Sequence, residues 1–320
     1  MNPSAISLVD VSKRYGPKEI IKNISFEVMP GEILGFLGPN GAGKTTTIKM
    51  IAGTTTATSG TVSVSGLDMS TQQELGAKKI GYLPEHPPLY DVFQVTGYLN
   101  FIARSKKVPK KQVKRSLDQV ISACKLEKVT KSEIYKLSKG YRQRLGLAQA
   151  LIGDPEVLLL DEPTSGLDPG QIQETRDVIK QCGVKQSVLL STHILTEVTL
   201  LCARVAIINE GKLLAIDTPR GLRQASEQSN RVSLLVSGNV EKLKTALKEI
   251  DDIQKVDTFK HDKDKVLIVC HLNSNNDTET IIAKLATENT KLYQLERHSP
   301  TLENVFLQYI KKGKNSKGKK

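Results

Sequence analysis

The chain has 320 residues, 25% of them charged and 38% hydrophobic, with a formal net charge of +12. This length allows a large core and more than one domain. The longest uninterrupted apolar run, Val266 to Cys270, is far shorter than the ~18 to 20 residues of a membrane-spanning helix. Residues 1–10 lack the basic start of a signal peptide, so we predict a chain that neither spans a membrane nor is secreted by such a peptide.

The positive charge is concentrated at the end of the chain. Half of the excess comes from Lys311, Lys312, Lys314, Lys317, Lys319 and Lys320. A Gly/Lys/Asn/Ser segment of this kind is most often a solvated, disordered end, and this is our prediction for residues 311–320. The alternative is contact with an anionic membrane, to which each lysine would add on the order of 1 kcal/mol of attraction.

The cysteines show no C-x-x-C pair and lie in otherwise apolar or helical stretches. They are Cys124, Cys182, Cys202 and Cys270. This pattern favours reduced thiols in the cytoplasm over disulfides or a zinc site, and we assign them no chemical role.

The chain begins with three predicted strands. A short apolar strand starts at Ile6 and ends before the turn residues 13–17, which places Tyr15 in a loop. Strands over Ile20 to Val28 and Glu32 to Leu37 follow, joined by a Pro-Gly turn.

A glycine-rich segment follows the third strand and precedes a predicted helix from Thr45 to Ala52. Its sequence is Gly38-Pro39-Asn40-Gly41-Ala42-Gly43-Lys44-Thr45-Thr46. In a phosphate-binding loop of this pattern, glycines let backbone N–H groups turn inward around a triphosphate, Lys44 reaches the β and γ phosphates, and Thr45 offers a hydroxyl to Mg²⁺. The loop predicts nucleotide binding but does not distinguish kinases, GTPases and motor ATPases.

Aromatic residues are concentrated in the next part of the chain. After strands at Thr61 to Ser65 and Lys79 to Leu83, the proline-rich residues 84–88 cannot form a helix interior. Five of the fourteen Phe and Tyr residues lie within twenty positions here, namely Tyr82, Tyr90, Phe93, Tyr98 and Phe101. Core packing and an aromatic-lined groove for a partner both account for this clustering.

Helices and strands then alternate along the chain. The predicted helices are Lys110 to Leu126, Tyr141 to Ile152 and Gln171 to Cys182, and the predicted strands are Val157 to Leu160, Ser187 to Ser191 and Arg204 to Asn209. This alternation predicts a doubly wound α/β core, in which ligands gather at the carboxyl ends of parallel strands. Gly38, Asp161 and His193 all follow such ends.

Two adjacent acids end the continuous apolar run at Val157 to Leu160. The run is typical of a strand buried on both faces of a parallel sheet, so Asp161 is positioned to hold Mg²⁺ or its water shell opposite Thr45. Glu162 is the next residue, and its carboxylate can orient or deprotonate the water that attacks the γ phosphate.

A second domain is predicted after the change of pattern at about Gly221. Residues 221–230 form the predicted linker and residues 231–310 a small α+β domain, with strands at Val232 to Val236, Ile253 to Phe259, Val266 to Leu272 and Leu292 to Leu295 and helices at Val240 to Ile250 and Thr278 to Glu288. This β-α-β-β-α-β order is ferredoxin-like and contains no constellation of catalytic type.

Residues from about 4 to 220 resemble one family, the ATP-binding subunits of ABC transporters. Leu137-Ser138-Lys139-Gly140-Tyr141-Arg142-Gln143 resembles its signature motif, Val157 to Glu162 its Walker B motif, Ser165-Gly166-Leu167-Asp168 its D-loop and Ser191-Thr192-His193 its switch histidine. Tyr15 is similar in position to the aromatic residue that stacks on adenine. The resemblance implies a P-loop NTPase core with a helical subdomain and an antiparallel β subdomain.

The resemblance also implies the roles of individual residues. It places ATP contacts at Tyr15, the phosphate loop, Ser138, Gly140 and Asp168, and catalysis at Lys44, Glu162 and His193. Mg²⁺ would be held by Thr45, Asp161 and the residue in the Q-loop position, Glu85.

Two departures from the family pattern affect these assignments. Lys139 replaces the first glycine of the signature motif and Tyr141 its glutamine, whereas Ser138 and Gly140, which the family uses on the γ phosphate, are present. Glu85 replaces the Q-loop glutamine that contacts ATP-bound Mg²⁺ and links to the membrane partner. A carboxylate still binds Mg²⁺, although it adds charge to the site.

Both departures, and the closing segment Ser299 to Phe306, resemble the ABC-2 type exporter ATPases, including the gliding-motility type. In that family the signature motif of one subunit completes the ATP site of a second subunit. Ser138 at a helix N-terminus is an anion site of the kind that such a subunit would present to ATP. The resemblance thus implies ATP-driven dimerisation, as a homodimer in our prediction.

We therefore predict a cytoplasmic ATPase, peripheral on the inner face of the membrane, that drives a separate integral membrane permease and has no nucleic-acid partner. Export is the predicted direction, and Glu85 to Phe101 is the predicted permease contact. A non-transport ABC ATPase acting on ribosomes or DNA is the alternative, although relatives of that kind usually carry two ATPase halves or a long coiled coil. A binding module that has lost hydrolysis is disfavoured because Lys44, Asp161, Glu162 and His193 are all present.

Overall fold

The computed structural model describes residues 4–224, 231–262, 264–272, 278–287, 290–298 and 301–315. The chain separates into two compact units, Met1–Pro219 and Arg220–Lys320. Across the described residues, no helix combines the length and the apolarity that crossing a membrane requires.

The first unit contains two sheets and most of the helices. Its strands are β1 (Ile6–Tyr15), β2 (Lys18–Val28), β3 (Ile33–Leu37), β4 (Ser59–Val64), β5 (Leu67–Asp68), β6 (Ile80–Leu83), β7 (Val157–Asp161), β8 (Ser187–Thr192), β9 (Arg204–Asn209) and β10 (Lys212–Asp217). Its helices are α1 (Lys44–Ile51), α2 (Gln73–Lys78), α3 (Val95–Ser105), α4 (Lys110–Ala123), α5 (Lys139–Leu151), α6 (Pro169–Gly183) and α7 (Leu195–Leu201), and α8 (Pro219–Gln224) spans the boundary between the units.

The larger sheet has the strand order β10-β9-β3-β8-β7-β6. Strands β9, β3, β8, β7 and β6 run parallel, and β10 is an antiparallel edge strand. Every residue of β7 and of β8 is buried, as expected for strands covered on both faces. The prediction of an α/β core with a parallel sheet is confirmed.

The smaller sheet is antiparallel, with the order β2-β1-β4-β5. Helix α1 packs between the two sheets, because it contacts β2 and β4 on one side and β7 on the other. Residues such as Ile6, Ile48 and Phe36 belong to one buried cluster that joins both sheets through this helix. The helix that follows the phosphate loop is therefore part of the main core.

Strand β1 is longer than the sequence predicts. It continues to Tyr15, which pairs with Lys18 of β2, so Tyr15 is the last residue of a hairpin strand and not a loop residue. The strand continues through the polar residues 12–14 because β2 still pairs with Lys13, Arg14 and Tyr15. The register shifts between these pairs, as in a β-bulge.

Helices α3, α4 and α5 pack against one another. Helix α4 ends at Ala123, three residues before the predicted end at Leu126, because Lys125 adopts a left-handed conformation with φ 53°. The N–H of Lys125 bonds to Ser122 and that of Leu126 to Ile121, which is a common helix ending. Helix α3 lies in the aromatic stretch and was not predicted.

The second unit is a four-stranded antiparallel sheet with the order β12-β13-β11-β14. Its elements are β11 (Arg231–Ser237), α9 (Val240–Lys248), β12 (Ile253–Asp262), β13 (Lys265–Leu272), α10 (Thr278–Thr287), β14 (Lys291–His298) and α11 (Leu302–Asn315). Alternate residues of the sheet, including Leu234 and Ile268, form a core with Leu243 and Leu247 of α9. The order β-α-β-β-α-β is the order expected from the sequence, with α11 added at the end.

The predicted linker and the predicted tail, at the two ends of this unit, both overlap helices. Helix α8 occupies the start of the predicted linker, and residues 225–230 lie outside the described residues. Helix α11 extends to Asn315, so the tail predicted from residue 311 begins within a helix, and residues 316–320 are not described. Ser299 and Pro300 of the closing segment also lie outside the described residues.

Candidate functional site

Three neighbouring strand ends carry the candidate site. Strand β8 lies between β3 and β7, with Leu37 paired to Thr192 and Asp161 paired to Ser191. Because all three strands are parallel, the phosphate loop after β3, the acids that end β7 and His193 after β8 emerge at one edge of the sheet.

The phosphate loop has a backbone that requires glycine. Gly41 and Gly43 adopt left-handed conformations, with φ 77° and 111°, which residues with a Cβ avoid. At Gly38, an added Cβ would lie 2.5 Å from the backbone oxygen of Ile208. Any side chain at these positions would displace the loop from β9 or strain its turn.

Lys44 is buried within the loop. Its Nζ donates to the carbonyl oxygen of Gly38 at 2.7 Å and lies 3.2 Å from Oε1 of Glu162. Gly43 precedes α1 as its N-cap and has no side chain to satisfy the first N–H groups of the helix. A buried ammonium beside uncapped N–H groups fits the phosphates of ATP. Asn40 is exposed, and Thr45 and Thr46 are partly buried.

Glu162 is held between two other predicted catalytic residues. Its Oε2 lies 2.8 Å from Nδ1 of His193, and its Oε1 faces Lys44. The Glu162 side chain is buried, whereas that of His193 is 47% exposed. The backbone of Glu162 is left-handed, with φ 49°, and its N–H bonds to the carbonyl oxygen of Ser191 at 3.0 Å. The structure thus brings Lys44, Glu162 and His193 into direct contact.

Asp161 presents one engaged and one open carboxylate oxygen. Oδ1 accepts a hydrogen bond from the hydroxyl of Ser191, and Oδ2 is buried without a hydrogen-bond partner. A buried carboxylate oxygen with no donor fits a hard cation such as Mg²⁺. Burial, and to a smaller extent the negative charge of Asp161, raises the pKa of Tyr82 on neighbouring β6 to about 12. Glu85 is exposed in the bend that follows β6.

Ser138, Gly140 and Asp168 form a second group. Ser138 is the N-cap of α5, where its hydroxyl accepts from the N–H of Tyr141 at 3.4 Å, and Asp168 is the N-cap of α6. The two helix starts pack together, since a Cβ on Gly140 would lie 2.3 Å from Oε1 of Gln171. Among the described residues, the hydrogen bonds and ion pairs of Lys44, Glu162 and His193 do not reach Ser138.

Tyr15 lies at the end of the hairpin, half exposed. The Nζ of Lys13 is 4.9 Å from the centre of the Tyr15 ring, which is within the range of a cation–π contact. The exposed part of the ring lies where β1 turns into β2.

The sequence motifs assigned no role of their own to three polar residues near the site: Thr164, Thr192 and Glu197. The hydroxyls of both threonines donate to the carboxylate of Glu197, which is fully buried. A usable signal was the polar pair Ser191-Thr192 at the end of an apolar strand, but Glu197 on a short helix resembles a surface acid in the sequence.

The cysteines have no part in this site. Cys124, Cys182, Cys202 and Cys270 are all free and buried. Burial raises the pKa of Cys182 to about 11 and that of Cys202 to about 12, so both thiols resist ionisation.

Comparison with known proteins identifies the family. The family described as ABC transporter matches residues 21–165. The ABC transporter ATP-binding protein YhcH of Bacillus subtilis (strain 168) is 32% identical over 307 residues, which cover 95% of each chain. The chain is an ATP-binding subunit of the ABC transporter family. The resemblance drawn from its motifs is therefore confirmed.

Other ABC transporter ATP-binding proteins match over most of the chain. The linearmycin resistance ATP-binding protein LnrL of Bacillus subtilis (strain 168) is 30% identical, covering 93% of this chain and 96% of its own. The Nod factor export ATP-binding protein I of Burkholderia pseudomallei (strain 1710b) is 36% identical, covering 70% of this chain and 74% of its own.

Solved structures of ABC transporter subunits share the fold. The structure of an ATP-binding subunit of an ABC transporter is 29% identical, with a TM-score of 0.64, over 69% of this chain and 92% of its own. A dimeric bacterial ABC transporter cassette, MJ0796, has a TM-score of 0.61 at 21% identity, over 67% of this chain and 98% of its own. The predicted P-loop ABC ATPase fold is confirmed, and the chain is an ATPase of this family.

Proposed function

We propose that this ABC subunit hydrolyses ATP to power a separate integral membrane permease, in the direction of export, from the cytoplasmic face of the membrane. The names of two similar proteins, one for Nod factor export and one for linearmycin resistance, support export. One observation carries the catalytic part: Glu162 is buried between the ammonium of Lys44 and the imidazole of His193. Replacement of Glu162 by Gln tests it, since the amide keeps the size and loses the charge.

The roles follow from this arrangement. Lys44 would bind the β and γ phosphates, and the loop N–H groups would surround them. Glu162 would orient the attacking water and accept its proton, while His193, in contact with Glu162, would hold that carboxylate in place and face the γ phosphate. Tyr15 would stack on the adenine.

Thr45, Asp161 and Glu85 are the proposed ligands of Mg²⁺, directly or through water. The open Oδ2 of Asp161 supports the assignment most strongly. When bound, Mg²⁺ would neutralise charge on the β and γ phosphates. Glu85 is exposed and adds a negative charge, so its share in the site is the weakest of the three.

We further propose that two copies of the chain share each ATP. Ser138 and Gly140 lie at the start of α5, with the hydroxyl and N–H groups of a helix N-terminus, and belong to a different group from Lys44 and Glu162. A second subunit that brought ATP to Ser138 would complete the site, with Asp168 beside it. The dimeric cassette of the same fold supports this arrangement.

The permease contact is proposed at an aromatic cluster formed by α3 and the segment that precedes it. The ring centres of Tyr90, Phe93 and Phe101 lie 5.8 to 6.1 Å apart, and Val92 beside them is 86% exposed. Tyr98 is not part of the surface: it is buried, and its hydroxyl donates to Oε1 of Gln149 at 2.5 Å. Tyr98 is therefore a core residue, and the exposed rings of Tyr90 and Phe101 carry the proposed contact.

The double substitution Tyr90→Ser and Phe101→Ser tests this contact. Both side chains are about half exposed, so their loss should leave basal ATP hydrolysis unchanged and abolish co-purification with the permease from detergent-solubilised membranes. Leu75→Ser, which removes an exposed apolar side chain elsewhere, is the matched control. Undiminished co-purification of the double variant would exclude this surface as the docking site.

The second unit is proposed as an accessory domain and residues 316–320 as a passive end. Deleting these five residues, which include three lysines, should leave ATP hydrolysis and binding to anionic vesicles unchanged. If the lysines instead contact a membrane, the deletion should weaken vesicle binding on the order of 100-fold, since each contributes about 1 kcal/mol. Sedimentation with phosphatidylglycerol vesicles, compared with phosphatidylcholine vesicles, distinguishes the two outcomes.

A further inference from the structure

A buried carboxylate lies directly behind the catalytic contact. Glu197 is in α7 and its exposed fraction is 0%. Its Oε1 accepts from the hydroxyl of Thr164, and its Oε2 accepts from the hydroxyl of Thr192 at 2.7 Å. Both threonines are themselves buried. Hydroxyls, and not a cation, thus satisfy the two oxygens, which is a costly way to bury a carboxylate unless it serves a purpose.

Each threonine lies next to a different catalytic residue of the proposed site. Thr164 lies in the turn after Glu162, where the N–H of Ser165 bonds back to the carbonyl oxygen of Glu162 at 3.1 Å. Thr192 immediately precedes His193, and its hydroxyl also accepts from the N–H of Ile194 at 3.0 Å. Glu197 therefore connects the turn that carries the carboxylate to the turn that carries the imidazole.

The backbone around Thr192 extends this connection to the phosphate loop. The N–H of Gly38 donates to the carbonyl oxygen of Thr192 at 3.4 Å, and the N–H of Glu162 donates to Ser191 at 3.0 Å. A shift of Thr192 would thus move His193 relative to Glu162, whose 2.8 Å contact depends on both turns.

We infer that Glu197 is a positioning residue for ATP hydrolysis, which holds His193 against Glu162 by fixing Thr192 to Thr164. The inference rests on the proposed roles of Glu162 and His193. Glu197 would touch neither ATP nor water. Its carboxylate would set the distance between two groups that must meet the γ phosphate together.

Replacing Glu197 by Ala should lower kcat about 10- to 100-fold, the range expected when a catalytic group is displaced by about 1 Å. The KM for ATP and the affinity for a fluorescent ATP analogue should change far less than kcat, because Lys44 keeps its hydrogen bond to Gly38 within the phosphate loop. Glu197→Gln should retain most of the turnover, since its amide oxygen accepts from one hydroxyl and its NH₂ donates to the other.

Two controls separate positioning from a general loss of stability. Val198→Ala removes two buried methyl groups at the next position of α7 and should lower the melting temperature without the loss of kcat. Thr199→Val changes an exposed hydroxyl of the same helix that bonds to Leu195, and should change neither quantity.

The double variant Glu197→Ala/His193→Ala gives the decisive result. If Glu197 acts through His193, its loss should lower kcat no further once His193 is absent, as measured with radiolabelled ATP. Losses that multiply, wild-type turnover of Glu197→Ala, or an equal loss in Val198→Ala would overturn the inference while leaving the proposed function intact. Wild-type turnover of His193→Ala alone would instead refute the proposed role of His193, and the inference with it.

Discussion

The Glu162→Gln variant should bind ATP with unchanged affinity and hydrolyse it on the order of 10²- to 10⁴-fold more slowly, the usual contribution of a general base. The amide oxygen can take the position of Oε1, 3.2 Å from the Nζ of Lys44, so the phosphate loop should stay in place. What is lost is the negative charge and the proton acceptor beside His193. Because ATP would remain intact, the variant should also accumulate as a dimer in the presence of ATP, detectable by light scattering.

A surface carboxylate provides the control for this substitution. The Glu133 side chain is 40% exposed and forms an ion pair with Lys136, so Glu133→Gln removes one charge from the chain without touching the site. It should leave turnover unchanged, since exposed ion pairs of this kind contribute little. Rapid hydrolysis by Glu162→Gln would remove Glu162 from the catalytic role.

Ser138→Arg should abolish the ATP-dependent dimer in the Glu162→Gln background while leaving ATP binding by the monomer intact. The Ser138 hydroxyl caps α5, and a long cationic side chain there would fill the space that a neighbour's γ phosphate needs. Lys44 and Glu162 belong to a separate group of contacts, so the chain's own nucleotide should bind as before. Light scattering and an equilibrium binding assay with a fluorescent ATP analogue measure the two properties.

Two further variants test whether this effect is specific. Ser122→Arg adds the same bulk and charge at an exposed position of α4 and should preserve the dimer. Ser138→Ala removes only the hydroxyl and should weaken dimerisation less than Ser138→Arg does. A stable dimer of Ser138→Arg would show that the two subunits do not share ATP through this residue.

The parts of the site that depend on a few consecutive residues could be predicted from the sequence. The glycines and Lys44 define a loop within nine residues, and the apolar run before Asp161 identifies a buried strand, so both were located correctly. Parallel pairing then accounts for the meeting of Asp161 and His193 at one edge, although they are far apart in the chain.

The remainder depended on tertiary contacts that no local pattern contains. Tyr98 resembles its exposed aromatic neighbours in the sequence, and its burial follows from contacts with Gln149 of α5 and with the rings of Tyr90 and Phe93. Tyr15 follows polar residues that would end an isolated strand, yet pairing with β2 extends β1 to it. Glu197 is an acid on a seven-residue helix, and its burial follows from where two distant threonines lie.

The position of α1 between the two sheets has a consequence for how long the subunit survives in the cell. Its first residue, Lys44, is the proposed phosphate ligand, while Ile48 and Ile51 are buried in the core, so a nucleotide bound at the loop would also stabilise the core. A ligand present at a hundredfold excess over its dissociation constant adds about 2.7 kcal/mol to the free energy of unfolding. Bound ATP would thus stabilise the folded subunit, and a fall in cellular ATP would make the nucleotide-free subunit more susceptible to proteolysis.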